Sequence, residues 1–213
     1  MSLCIYNSLS NKIEEFIPYE KGKVTMYVCG PTVYNKIHIG NARPVVFFDI
    51  VKKYLTYLGY EVSYASNITD VDDKIIDSAI KNNQDEMSYA HHFADVYLKN
   101  VLELGCEKPD FIPYATNYMD QMIEFISKLI ELGFAYEVDG DVYFRVNSVN
   151  NYGALSKQRI EDLMVGARID ENSLKENPLD FTLWKKNYWR YQLGFTMVKR
   201  KTWMAYRMCC YDW

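Results

Sequence analysis

No stretch of the 213-residue chain comes near the roughly 20 consecutive apolar residues that a membrane-spanning helix needs. The leading residues also lack the basic, apolar and small-residue zones of a secretory leader. Positive charge is not in excess: 24 Lys and Arg stand against 28 Asp and Glu, for a formal charge of −4. This excludes a generally basic nucleic-acid coat, though not a local nucleic-acid site. Cysteine is sparse and odd in number. Cys4, Cys29, Cys106, Cys209 and Cys210 are scattered, which argues against a secreted disulfide framework and for free thiols in a cytoplasmic chain. Repeats and low-complexity segments are absent. With 49% hydrophobic and 24% charged residues, disorder over most of the length is excluded. The length suits one domain with an insertion. The 19 tyrosines, with abundant Asn, Ile and Lys, point to an AT-rich gene.

The ordered part begins with residues 24–29, Val-Thr-Met-Tyr-Val-Cys, a β-branched and aromatic run cut off by Gly30-Pro31. A helix is expected from His38-Ile39-Gly40-Asn41 onward. Val46, Phe47, Ile50, Val51, Tyr54, Leu55 and Leu58 recur at helical spacing until Gly59. Residues 61–68 read as a second strand. Thr69 followed by Asp72 has the capping-box pattern, so the next helix is expected to start at Asp70. Strand–helix–strand–helix is the signature of an α/β, Rossmann-like parallel sheet with crossover helices. Two longer helices follow, over 86–104 and 116–132. A hairpin is then expected over 135–138 and 141–146, turning at Asp139-Gly140. Residues 152–156 and 166–170 flank a short helix, and 180–185 closes this region.

The densest chemistry lies in Cys29-Gly30-Pro31-Thr32-Val33-Tyr34-Asn35-Lys36-Ile37-His38-Ile39-Gly40-Asn41. It falls where the first strand gives way to the first helix, at the carboxyl edge of a parallel sheet, where such sheets bind ligands. A helix start offers unpaired N–H groups and the positive end of the macrodipole, so a phosphate group is the expected guest. His38 can donate to phosphate oxygens, and Gly40 lets a ligand approach the backbone.

This segment resembles the His-Ile-Gly-His signature of class I aminoacyl-tRNA synthetases, with Asn41 in the last place, in the form found in cysteinyl-tRNA synthetases. Further matching stretches are Ile5-Tyr6-Asn7, Met26-Tyr27-Val28, Asn67-Ile68-Thr69-Asp70-Val71-Asp72-Asp73-Lys74-Ile75, Tyr152-Gly153-Ala154-Leu155-Ser156 and Asp180-Phe181-Thr182-Leu183-Trp184-Lys185. The resemblance implies a cysteine–tRNA ligase that makes the cysteinyl adenylate from ATP, with Mg²⁺, and transfers cysteine to tRNA-Cys. Its catalytic groups would be His38, Gly40 and Asn41. ATP and cysteine would meet Gly30, Pro31, Thr32, Tyr34, His38, Gly40 and Thr69. Cys29 would be the first ligand of a Zn²⁺ that sorts cysteine from serine, because zinc favours a soft thiolate over a hydroxyl, in a site that one thiolate leaves incomplete in this chain. Full-length members would be monomers. Residues 1–115 would form the first half of the nucleotide-binding catalytic domain, and 116–186 an inserted helical and hairpin connective subdomain.

Plainer readings stand beside these. Cys29 at a strand end also suits a small buried hydrophobe. Asp70, Asp72 and Asp73 suit first-turn helix charges better than metal ligands. His91 and His92 read as surface or packing residues, and Cys4 and Cys106 as inert. A ligase acting on a sugar amine, or a non-enzymatic nucleotide- or partner-binding fragment, would share the same motifs.

After Lys186 the resemblance stops. Reading the gene one base forward in the tail forces Trp from Met197-Val198, Gly from Trp203-Met204, Trp from Met204-Ala205 and Cys from Met208-Cys209, whatever the codons. That order matches the Trp and Gly-Trp-x-x-x-Cys spacing of the family. Lys185-Lys186-Asn187 would be encoded by a run of adenines. Residues 187–213 are therefore expected to be a frame-shifted, poorly ordered tail, with Cys209 and Cys210 no zinc ligands and the chain inactive alone.

Overall fold

A parallel strand–helix–strand unit organises residues 23–66. The computed structural model describes residues 3–157 and 174–185. The tail from 187 and the short helix expected between 156 and 166 lie outside the described residues. The chain divides into two compact units, residues 17–119 and residues 1–16 with 120–213.

In the unit of residues 17–119, β3 (Lys23–Val28) pairs in parallel with β4 (Glu61–Ser66), from Lys23 opposite Glu61 to Val28 opposite Ser66. The crossover is α1 (Ile39–Tyr57), ended by Gly59 at φ 91°. The sheet pattern runs beyond the strand ends. Thr32 bridges Thr69, Ala65 bridges Phe111 and Ile68 bridges Tyr114, all in parallel. Helices α2 (Asp73–Lys81) and α3 (Glu86–Glu103) cover this extension. They enclose a core of Val33, Ile68, Ile75, Ala79, Ala90, Ala94 and Val101. Small residues on α3 let it approach closely, so buried apolar area rather than helix propensity holds the layer.

The helix expected at Asp70 begins three residues later, with Asp72 as its N-cap accepting from the Lys74 N–H. Thr69 is not available as a cap. Its N–H donates to the Pro31 carbonyl and its own carbonyl accepts from Val33, so its backbone is committed to the sheet. Asp70 is likewise no first-turn charge. It is 1% exposed and accepts from both the backbone N–H and the hydroxyl of Thr116. Helix α1 also departs from the expected pattern: Phe47 (59%), Ile50, Tyr54 and Tyr57 (83%) remain exposed, and Asp49 is buried instead.

Two carboxylates fasten the return loop to α1 and β4. Asp49 accepts from the Glu107 N–H and from Lys53, each within 2.9 Å. Asp110 accepts from Lys52 and from the Tyr64 N–H, again within 2.9 Å. Burial works to raise both pKa values, but these donors hold both carboxyls below their ordinary value.

The other unit carries the antiparallel hairpin β1 (Cys4–Asn7) and β2 (Lys12–Glu15), α4 (Met119–Glu131), and the antiparallel sheet β5 (Ala135–Val138), β6 (Asp141–Phe144) and β7 (Phe181–Trp184). The β5–β6 turn has Asp139 at φ 52° and Gly140 at φ 88°, as a type I′ hairpin requires. Buried Asp180 (1% exposed) gathers the sheet: it accepts from the Tyr136 hydroxyl, the Val146 N–H and the Asn177 N–H. Burial and this carboxylate push the Tyr136 phenol up to about 12. Among the described residues no helix is long and apolar enough to cross a membrane.

A carboxyl whose folded pKa is lowered contributes stability above its unfolded pKa of about 3.9 and loses it as pH falls through the folded value. Urea midpoints are therefore expected to drop steeply below about pH 4. Asp49→Asn should be less stable at neutral pH and show a shallower acid limb, measured by the same titration.

Candidate functional site

The site is built where β3 ends. Cys29 is exposed there, which removes the reading of a buried hydrophobe. Gly30 follows, and its position is dictated by Asn67 in the loop after β4. A Cβ on Gly30 would lie 1.6 Å from the Asn67 carbonyl oxygen, so only glycine allows the two backbones to meet. Asn67, 5% exposed, is the hub of this contact. Its Oδ1 accepts from the Gly30 N–H at 2.9 Å and from the Tyr27 hydroxyl at 2.7 Å, while its Nδ2 donates to the Thr69 hydroxyl at 3.2 Å. The chain then runs through Pro31 and Thr32, paired with Thr69. The Tyr34 carbonyl accepts from the Tyr89 hydroxyl, and Lys74 lies over the Tyr34 ring at 5.3 Å.

His38 is the N-cap of α1. Its Nδ1 accepts from the Gly40 N–H at 3.0 Å, and Asn41 Oδ1 accepts from the His38 N–H at 3.3 Å, closing a reciprocal capping box. Gly40 is the residue that permits this. A Cβ there would sit 2.7 Å from His38 Cε1. Because Nδ1 is an acceptor, a neutral His38 carries its proton on Nε2. The imidazole is exposed, so that N–H is open to a ligand at the positive end of a 19-residue helix. Asn41, the departure from the synthetase signature, thus contributes a backbone-holding acceptor.

A cavity of about 100 Å³ opens among these elements. The sequence-derived residues that line it are Cys29, Gly30, Pro31, Gly40 and Asn41. Thr32, Tyr34, His38 and Thr69 stand outside that lining. Sequence reasoning missed Tyr64 and Ser66 from β4, Tyr97 from α3, and Pro44 and Val45 from α1. Asn67 was within a quoted motif and could have been found from its place opposite Gly30-Pro31. Tyr64 and Tyr97 carried no local signal in a chain with 19 tyrosines. Burial raises the Tyr64 phenol against a hydrogen bond shared with Ser66, and burial pushes the Tyr97 phenol up to about 12, so both stay neutral.

The donor set does not make a metal centre. Among the described residues no three His, Cys, Asp or Glu side chains cluster around Cys29 or elsewhere. One thiolate supplies a single ligand of the four that structural zinc takes. The described residues therefore do not fit the implied zinc.

Residues 15–191 match the family described as tRNA synthetases class I (C) catalytic domain. The chain is 53% identical over 185 residues to a cysteine–tRNA ligase of Anoxybacillus flavithermus, covering 87% of this chain and 40% of that protein. It is 56% identical over 183 residues to the cysteine–tRNA ligase of Acholeplasma laidlawii, covering 86% and 42%. The chain thus spans about two fifths of the relatives it matches. Among solved structures, the LeuRS of Agrobacterium radiobacter K84, in a ternary complex with tRNA and LeuAMS, superposes with a TM-score of 0.50 at 19% identity. That match covers 62% of this chain and 18% of the other, a likeness of fold.

Gly30→Ala is expected to cost about 3 kcal/mol or more, because backbone rather than a mobile side chain blocks the new methyl group. Gly40→Ala should leave stability within about 1 kcal/mol of the parent, since better helix propensity offsets the displaced cap. Denaturant titration of the two variants checks the contrast.

Proposed function

The chain belongs to the class I (C) tRNA synthetase catalytic-domain family, and from that membership we propose that it forms the ATP-binding part of a cysteine–tRNA ligase. The reaction joins cysteine to ATP and then to tRNA-Cys. In the first step a carboxylate oxygen of cysteine attacks the α-phosphorus of ATP, and the bond to pyrophosphate breaks, giving the cysteinyl adenylate. In the second, a hydroxyl of the terminal tRNA ribose attacks the acyl carbon and AMP leaves.

The observation that carries this reading is the orientation of His38. Its Nδ1 is held by the Gly40 N–H, so Nε2 presents a fixed donor at the α1 N-terminus. Negative charge builds on the phosphate oxygens as the carboxylate attacks. A pre-oriented imidazole N–H and helix-end dipole stabilise that charge without reorganising at the moment of reaction. ATP enters as its Mg²⁺ complex and the metal travels with the substrate. Tyr34, Thr32 and Thr69 act from behind, through the paired loops that set where Pro31 lies.

The test is ATP binding by the 213-residue chain together with pyrophosphate exchange by a version carrying the relatives' full length. His38→Ala should weaken ATP binding about tenfold, the value of one hydrogen bond to a charged group. Exchange should require cysteine and not be supported by serine. ATP binding indifferent to His38, or exchange indifferent to the amino acid, would remove the proposal.

A further inference from the structure

Within the cavity lining, one polar side chain stands apart. Tyr97 is 6% exposed and lines the cavity from α3, yet its hydroxyl has no hydrogen-bond partner among the described residues. Of the other polar side chains in the lining, Tyr64 is engaged with Ser66, and Asn41 Oδ1 with the His38 N–H. Buried hydroxyls are nearly always paired, and leaving one unpaired costs stability. Tyr97 is also firmly seated. It belongs to the cluster formed with Ala94 and Val101, so its ring cannot swing out to find water without disturbing the core. Its burial keeps the phenol protonated, able both to donate and to accept.

The size of the cavity limits what can satisfy it. About 100 Å³ is the space of roughly three waters, well short of the several hundred Å³ that larger organic ligands occupy. That space takes a group of a few heavy atoms, such as a carboxylate or an ammonium group. An apolar guest would leave the phenol unpaired, and a thiol is a weak hydrogen-bonding group. The strong partners on a small amino acid are its ammonium and its carboxylate.

We propose that Tyr97 is an amino-acid-binding residue, its hydroxyl hydrogen-bonding the charged main-chain end of a small α-amino acid where that end enters the cavity beside Cys29. The assignment rests on the amino-acid activation proposed above and adds a residue that no motif marks.

The experiment titrates the 213-residue chain and its Tyr97→Phe variant with L-cysteine, with 3-mercaptopropionate (no ammonium), with cysteamine (no carboxylate) and with ATP. Thermal unfolding of both free proteins accompanies the titrations. Tyr97→Phe should weaken cysteine binding about tenfold and leave ATP binding unchanged. The difference between the two proteins should vanish for whichever analogue lacks the group that Tyr97 meets. The free variant should unfold at the same temperature as the parent or higher, because its lost hydroxyl had no protein partner. Equal cysteine binding by both proteins overturns the proposal, as does no cysteine binding by the parent. A difference that persists with both analogues overturns it too, as does a drop in stability of the free variant, which would mark a structural hydrogen bond. If ATP binding depends on His38 while Tyr97 has no effect on cysteine, the functional reading stands and this one falls. Loss of both ATP and cysteine binding in the parent removes both.

Discussion

One side-chain amide sets the geometry on which the rest of the site depends. Asn67 gives its carbonyl oxygen to two donors from the β3 side, Tyr27 and Gly30, and its N–H₂ to Thr69. Buried beneath the loops it joins, it competes with little water, so each bond keeps most of its strength. The segment after β3 and the segment after β4 are thereby held to a common reference, and the Pro31–Thr69 and Thr69–Val33 backbone bonds follow from it. Where Cys29 emerges and where α1 can begin are consequences of that junction. Glycine at position 30 is the steric condition for it.

The imidazole of His38 shows how one residue serves two ends. Nδ1 does structural work by receiving the Gly40 N–H, and the same bond leaves Nε2 facing outward. Cap and outward-facing donor are one arrangement, made by Gly40 on one side and Asn41 on the other. A capping serine or aspartate would satisfy the helix equally well but would have no second donor to offer. On the proposed function, the sequence motif at this point serves both helix initiation and phosphate chemistry.

Local pattern was enough wherever local physics decides. The apolar run of β3, the Gly59 stop and the Asp139-Gly140 turn all stand as read, because each depends on neighbours in the chain. Thr69 and Asp70 did not follow their local pattern. Thr69 looks like a helix cap, but sheet pairing with residues nearly forty positions away has already taken its backbone. Asp70 looks like a first-turn charge, but its partner is Thr116. The same division applies to the site. Of the cavity lining, Cys29, Gly30, Pro31, Gly40 and Asn41 lie in one contiguous motif; Tyr64, Ser66 and Tyr97 arrive from β4 and α3 through tertiary packing, which no short window encodes.

The outward row on α1 has a practical consequence. Phe47, Ile50, Tyr54 and Tyr57 present oily rings and branches to solvent along one side of a helix. Kosmotropic anions raise the cost of wetting such surface. Moderate sulfate should therefore bring the polypeptide out of solution early and hold it on a phenyl resin, whereas the −4 formal charge offers only weak repulsion to keep molecules apart.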